Sequence, residues 1–340
     1  MIDLASDTVT RPTPEMLSAM MQAQTGDDVF RLDPTVNQLE ERAADMFGME
    51  ASLFCVSGTM TNQIGISLHT HPGAEVICHR LAHIYVYEGG GIMVNSGASV
   101  KLVGSDDGMM TADEVSKAIN PDDIHFPVSR MVAIENTSNK GGGSCHDFAE
   151  LEAIGAVAQQ HHLALHLDGA RLFNALVARE DTPAQYGGLF DTISVCLSKG
   201  LGCPVGSLLL GNRDMIREAR RIRKRLGGGW RQAGFLAAAG IYALDHHIDR
   251  LQEDHDKASL LARCLNSQDW VESVLPVETN IVIARLASPQ YSAALVAALQ
   301  QQHIRISDLG QGQIRLVTHL DVSMEEIAEV CDRLADWRPV

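Results

Sequence analysis

Lys199 closes the run Ser194–Leu197 and is followed by Gly200-Leu201-Gly202. Lysine is ordinarily a solvated surface residue. Placed just past a buried strand, with glycines allowing close approach, it suits another role. Desolvation favours the neutral amine, which attacks carbonyls, so the position fits a Schiff-base lysine. Asp168 ends the preceding apolar run in HLDGAR; alone, it reads as a cap for the segment that follows. Thirty-one residues separate the two, about the length of one strand–helix–strand crossing. That spacing puts both at the same end of nearby strands. Together they suit pyridoxal 5'-phosphate, with the lysine bonding the aldehyde and the aspartate keeping the pyridine nitrogen protonated, which makes the ring an electron sink. The cofactor also needs a phosphate cradle. Ser57-Gly58-Thr59 offers small hydroxyl residues and free backbone N–H groups at a helix start, where the helix dipole favours an anion.

These residues need a scaffold that brings strand ends together. Ala51–Val56, Glu75–Cys78, Ser99–Val103, Arg130–Ile134, Leu163–Leu167, Thr192–Leu197 and Ser207–Leu210 all read as short buried strands. Helical segments such as Asp147–His161 lie between several of them. Near-continuous apolar strands alternating with helices predict an α/β fold with a mostly parallel sheet covered on both faces. Ligands of such sheets bind at the carboxyl ends of the strands. The polar residues there are Ser57-Gly58-Thr59, His79 and His83, Glu135-Asn136, Asp168 with Arg171, and Ser198-Lys199. Thr13-Pro14 and Asp33-Pro34 each set a capping side chain before a proline suited to the first helical position. From about residue 246 a charged helix, two strand-like runs (Asn280–Ala284, Gln313–Val317) and two further helices predict a smaller α+β unit. The expected division is a large cofactor-binding domain over 1–245, including the N-terminal segment, and a small domain over 246–340.

Composition limits the partners. The 340 residues are 45% hydrophobic and 21% charged, ordinary globular proportions. Lys+Arg 27 against Asp+Glu 43 gives −16, which repels nucleic acid and anionic lipid. The basic cluster Arg217, Arg220, Arg221, Arg223, Lys224 and Arg225 covers all sides of a helix and reads as solvated or paired at a subunit contact. The apolar run Gly234–Leu244 is too short to span a bilayer. Seven cysteines without C-x-x-C pairs, and an opening MIDLASDTVT without a signal-peptide pattern, lead us to expect a reduced, cytoplasmic protein. Gly200–Gly206 has the wrong spacing for a dinucleotide loop. His161, His162 and His166 read as structural or solvated rather than as metal ligands, and no metal is expected.

Longer motifs carry a resemblance. SDTVTRP (Ser6–Pro12), GDDV (Gly26–Val29), DPTVNQLE (Asp33–Glu40), AHIYVYE (Ala82–Glu88), LHLDGARLFNA (Leu165–Ala175), CLSKGLGCPVGS (Cys196–Ser207), GGGWRQAG (Gly227–Gly234) and IRLVTHLDVS (Ile314–Ser323) resemble the low-specificity L-threonine aldolases almost end to end. The resemblance implies an aspartate-aminotransferase-like fold, pyridoxal phosphate, and retro-aldol cleavage of β-hydroxy-α-amino acids to glycine and an aldehyde. It also implies a homotetramer built from dimers, with active sites at the dimer interface. Residue by residue, it makes Lys199 the cofactor lysine, Asp168 the ring-nitrogen partner and Ser57, Gly58 and Thr59 the phosphate turn. His83 becomes the histidine stacked on the ring. Ser6, Arg171 and Arg315 become the grip on the substrate carboxylate, which suits the bidentate guanidinium. Lys224 and Arg231 flank the glycine run, Lys224 reaching toward a neighbouring subunit's phosphate.

Two departures bear on the substrate. The family pattern Glu-Asn-Thr-His-Asn reads Glu135-Asn136-Thr137-Ser138-Asn139 here; Ser138, expected to bind the substrate, can donate and accept a hydrogen bond but is no base at neutral pH. The base role then passes to His83 or to a water near the phosphate. The family's GDDVYG, with an acidic residue next, gives way to Phe30, Arg31 and Leu32 after GDDV. The second reading, prompted by Ser138, is a β-eliminating lyase or racemase on the same scaffold.

Overall fold

The computed structural model describes residues 1–339. A seven-stranded sheet runs in the order Ala51–Cys55, Ser207–Gly211, Thr192–Cys196, Ala164–Gly169, Val128–Glu135, Ala74–His79, Ser99–Val103. Five of these strands pair in parallel, as their apolar runs predict. Ser207–Gly211 is the exception, antiparallel to both its neighbours. Two reversals leave Ala51–Cys55 pointing with the majority. Six strands therefore end at one edge, where Ser207 begins. Ser99–Val103, expected to be buried, is one of the two edge strands, and its side chains are mostly exposed.

The helices start where their caps predict. The Thr13 hydroxyl accepts from Met16 N–H ahead of helix Pro14–Met21. The Asp33 carboxylate accepts from Thr35 and Val36 N–H ahead of helix Pro34–Phe47. Gly48 closes the latter at φ 62°, a left-handed cap that glycine adopts without strain. Between sheet and helices lies a core that includes Leu39, Phe47, Phe54, Leu167, Tyr186 and Leu208.

A second sheet, Ser307–Gly310, Gln313–Val317, Ile281–Leu286, Val271–Val274, is antiparallel throughout. It has its own core with helices Leu251–Asn266 and Met324–Asp336. The first residues belong with this core. Ile2–Asp3 pairs with Ile304–Arg305, and Val317 N–H donates to Leu4 O. The chain then crosses to the main sheet's edge, where the Thr10 hydroxyl donates to Lys199 O at 2.9 Å. The segment thus fastens the second sheet to the strand ends. Among the described residues, no helix is long and apolar enough to cross a membrane.

Candidate active site

The shared strand edge encloses a cavity of about 300 Å³, lined among others by Ser57, Gly58, Thr59, His83, Asp168 and Lys199. Ser57 caps helix Gly58–His69, its hydroxyl accepting from Met60 N–H at 3.2 Å. The first-turn N–H groups of Gly58 and Thr59 have no carbonyl one turn earlier in the helix, so they are free for an anion. A Cβ at Gly58 would lie 2.6 Å from Cys196 Sγ, so only glycine lets the turn sit this close to the end of strand Thr192–Cys196. Lys199 makes no ion pair among the described residues.

Asp168 is buried (3% exposed) and has no cationic partner within ion-pair distance among the described residues. Its Oδ1 accepts from Ala170 N–H at 3.2 Å and its Oδ2 from Asn62 Nδ2 at 2.9 Å. The same Asn62 amide donates to Glu88 Oε1 at 2.9 Å. His83 Nδ1 lies 3.0 Å from Glu88 Oε1, and this bond raises the imidazole's pKa against the opposing effect of burial. Burial and the neighbouring Glu88 raise the Asp168 pKa. Glu135, whose carboxylate accepts from the backbone N–H groups of His83 and Asn139, is pushed up to about 7 by burial and by Asp168. His83, Glu88 and Asp168 each bring a ligand-type atom within 4.8 Å of one another. Asn62 and Gln63 already donate to Glu88, and Asn62 to Asp168.

Asp7, next to the cavity-lining Thr8, belongs to a second polar group. Arg171 is buried and pairs bidentately with Asp7, Nε–Oδ2 and Nη2–Oδ1 both 2.7 Å. Asn280 Nδ2 adds a bond to Asp7 at 3.2 Å. Arg315 has no carboxylate partner among the described residues. Its Nη1 donates to Asn139 Oδ1, its Nη2 donates to Ala5 O, and its buried Nε has no partner. Burial and the Arg171 charge lower its pKa, the setting of a cation that lacks an anion. Ser6 caps the turn Asp7–Val9, its hydroxyl accepting from Thr8 N–H at 3.3 Å.

Burial alone would raise the Asp7 carboxyl's pKa, but Arg171, Lys199 and Asn280 outweigh it and hold the value at about 2, against an ordinary 3.8. A depressed carboxyl stabilises the fold above its unfolded pKa, and that stability is lost as pH falls through its folded one. Asp7 should therefore contribute about 2 kcal/mol that disappears between roughly pH 4 and pH 2. Urea unfolding should show Asp7→Asn less stable at neutral pH but with a flatter decline across that window. A decline as steep as wild type's would show that other groups carry the acid sensitivity.

Six expected site residues are outside the cavity lining: Ser6, Arg171 and Arg315 lie in the polar group just described, and three lie elsewhere in this chain. Ser138 is buried, and its hydroxyl accepts from Gly141 N–H at 3.2 Å without lining the cavity. Lys224 lines a separate hollow with Asp28, Val29, Arg220, Arg221, Arg223 and Gly229. Arg231 is exposed and pairs with Asp27 at 2.7 Å. Phe30 and Leu32, each 67% exposed, lie outside the cavity lining. Asn62, Glu88 and Asp7 were not anticipated as functional residues. Glu88 and Asp7 lie in the AHIYVYE and SDTVTRP motifs, whereas Asn62 has no local signal.

The donor set fits pyridoxal phosphate. It combines an unpaired amine, a helix start free for a phosphate, and a buried carboxylate that calls for a protonated partner in the cavity. The sequence model of the beta-eliminating lyase family matches residues 3–289. The low specificity L-threonine aldolase of Escherichia coli K12 is 44% identical over 99% of this chain and 98% of its own. Low-specificity L-threonine aldolase 1 of Arabidopsis thaliana is 40% identical over 96% and 93%. Among solved structures, the threonine aldolase of Leishmania major superposes with a TM-score of 0.85 at 22% identity, covering 98% of this chain and 99% of its own, a likeness of fold. A match of this length and identity is decisive: the chain belongs to the beta-eliminating lyase family, among the low-specificity L-threonine aldolases.

Proposed function

We propose that this protein is a pyridoxal-phosphate-dependent aldolase that cleaves L-threonine, L-allo-threonine or a related β-hydroxy-α-amino acid to glycine and an aldehyde. The observation that carries this reading is the common cavity shared by Lys199, Asp168 and the first turn of helix Gly58–His69. When bound, the cofactor supplies an electron sink conjugated to the substrate's Cα. Lys199 would provide the amine that holds it. Asp168 stabilises a proton on the ring nitrogen. The Gly58 and Thr59 N–H groups bind the phosphate. Arg315, which has no carboxylate of its own, takes the substrate carboxylate, with Arg171 and Ser6 beside it. This grip would fix the substrate's orientation, and orientation decides which bond breaks. Glu88 accepts His83 Nδ1–H, which leaves the Nε2 lone pair to take the β-hydroxyl proton. Ser138 stays outside this step.

Lys224 and Arg231 are assigned to a neighbouring subunit's cofactor site in a homotetramer. Their exposure, and that of the apolar Phe30, Leu32, Tyr85 and Val86, support this. The strand ends belong to a large domain over 1–245, whose first residues pack into the core of a small domain over 246–340 that carries Arg315. A cytoplasmic setting fits the scattered free cysteines.

Incubating the holoenzyme with threonine, allo-threonine and phenylserine should release glycine and the matching aldehyde. Keto acid and ammonia without glycine would instead establish the β-eliminating alternative. Arg315→Ala should raise the threonine KM by about 100-fold, because a charge-assisted bidentate pair is lost, while Arg315→Lys restores only part of it. Steady-state kinetics check this, and an unchanged KM would remove Arg315 from the grip.

A further inference from the structure

One buried histidine has no part in the chemistry above. His166 stands two residues before Asp168 on strand Ala164–Gly169, so both side chains leave the same face of the sheet. Helix Gly58–His69 crosses that face and presents Asn62, Gly65 and His69 at spacings of three and four, one stripe of the helix. A Cβ at Gly65 would lie 2.6 Å from His166 Cε1, so this helix-interior glycine makes the seat for the imidazole. Four contacts follow in line. His69 Nε2 lies 2.9 Å from Thr192 Oγ1, and Thr192 Oγ1 lies 2.8 Å from His166 Nδ1. His166 Nε2 lies 3.2 Å from Asn62 Oδ1, and Asn62 Nδ2 lies 2.9 Å from Asp168 Oδ2.

Chemistry fixes the direction of each link. Asn62 must turn its NH₂ toward Asp168 and Glu88, since an amide oxygen there would face two carboxylates. Its Oδ1 can only accept, so His166 Nε2 carries the proton. Burial pushes His166 down to about 3 and lowers His69, so both rings are neutral. His166 Nδ1 then accepts from the Thr192 hydroxyl, and Thr192 Oγ1 accepts from His69 Nε2–H. Every donor points the same way, and aligned links polarise one another.

We propose that His166 is a positioning residue for Asp168, the centre of an oriented chain, His69–Thr192–His166–Asn62, whose hydrogen bonds all point at the carboxylate that serves the cofactor ring. The chain acts against the burial and the Glu88 charge that disfavour ionised Asp168. The other groups facing Asp168 are His83 and Lys199, which favour its charge, and Glu135 on the neighbouring strand. This inference rests on Asp168 being the ring-nitrogen partner.

The first test uses the protein without cofactor. Imidazole ¹⁵N NMR should show His166 as the Nε2-protonated neutral tautomer, unchanged from about pH 5.5 to 8.5. An Nδ1-protonated tautomer, or titration near the ordinary value of about 6.5, overturns the chain. The second test uses the holoenzyme. His166→Leu should lower kcat about 10-fold with the threonine KM held, and should shift the pH dependence of the cofactor's visible absorbance. His166→Gln, which can both donate to Asn62 and accept from Thr192, should return kcat to within about threefold of wild type. Wild-type kcat in His166→Leu, or equal losses in the two variants, overturns the proposal. If leucine at this position prevents folding, Thr192→Val carries the test, with an expected kcat loss of about threefold at constant KM and an unchanged kcat as the refuting result. Asp168→Asn separates the two ideas. Wild-type kcat and absorbance in that variant would overturn the ring-partner reading itself, whereas a collapse there beside a normal His166→Leu would overturn only this inference.

Discussion

Replacing Lys199 by alanine should lower glycine formation from threonine by about 10,000-fold, the scale of losing a covalent catalyst. Borohydride reduction of the holoenzyme should then no longer fix the cofactor to the chain. The effect is this large because, among the described residues, the cavity lining holds no second amine. Lys224 lies in a different hollow of the same chain, and Arg171 and Arg315 are guanidinium groups that stay protonated and are poor nucleophiles. The backbone at Lys199 is fixed independently of its side chain, because its carbonyl accepts from the Thr10 hydroxyl and from Gly202 N–H. The variant should therefore fold and still bind cofactor through the phosphate turn and Asp168. Mass spectrometry of the reduced protein checks the assignment. Cofactor still fixed to the chain in the alanine variant would show that another lysine holds it.

The strands were legible because each is a short apolar run, and the site was legible because polar residues follow those runs. Ser57, His83, Asp168 and Lys199 were found in this way, and all four line one cavity. The reversal of Ser207–Gly211 was not legible, since a buried strand has the same composition in either direction. Nor was the path of the first residues, whose pairing with Ile304–Arg305 spans the whole chain. The polar partners were hidden for the same reason. Asp7 meets Arg171 across 164 positions and Asn62 meets Asp168 across 106, distances at which local pattern carries no information.

Gly65 is a partial exception. A glycine inside a helix costs about 1 kcal/mol relative to alanine, so its presence at that point signals a close neighbour. It marks a position where something packs closely, though it does not name the neighbour as His166. The exposed Lys224 and Arg231 show the opposite limit. Under the proposed function they serve a second subunit, which a single chain's pattern cannot supply.

Asp168→Asn should lower kcat by about 1,000-fold while changing the threonine KM by less than about threefold, because a charge opposite the developing carbanion is an electrostatic contribution made mainly in the transition state. The substitution is isosteric, so the result does not depend on a cavity. It fails for two reasons that can be separated. An amide cannot hold a proton on the ring nitrogen. It also turns an NH₂ toward one of two donors, Asn62 Nδ2 and Ala170 N–H, that now point at carboxylate oxygens. A cofactor analogue methylated at the ring nitrogen carries the positive charge permanently and needs no carboxylate to keep it. Reconstitution with that analogue should raise the variant's kcat well above its value with the ordinary cofactor. If kcat stays equally low with both, the loss comes from the misdirected donors rather than the missing charge, and Asp168 acts mainly by shaping the site.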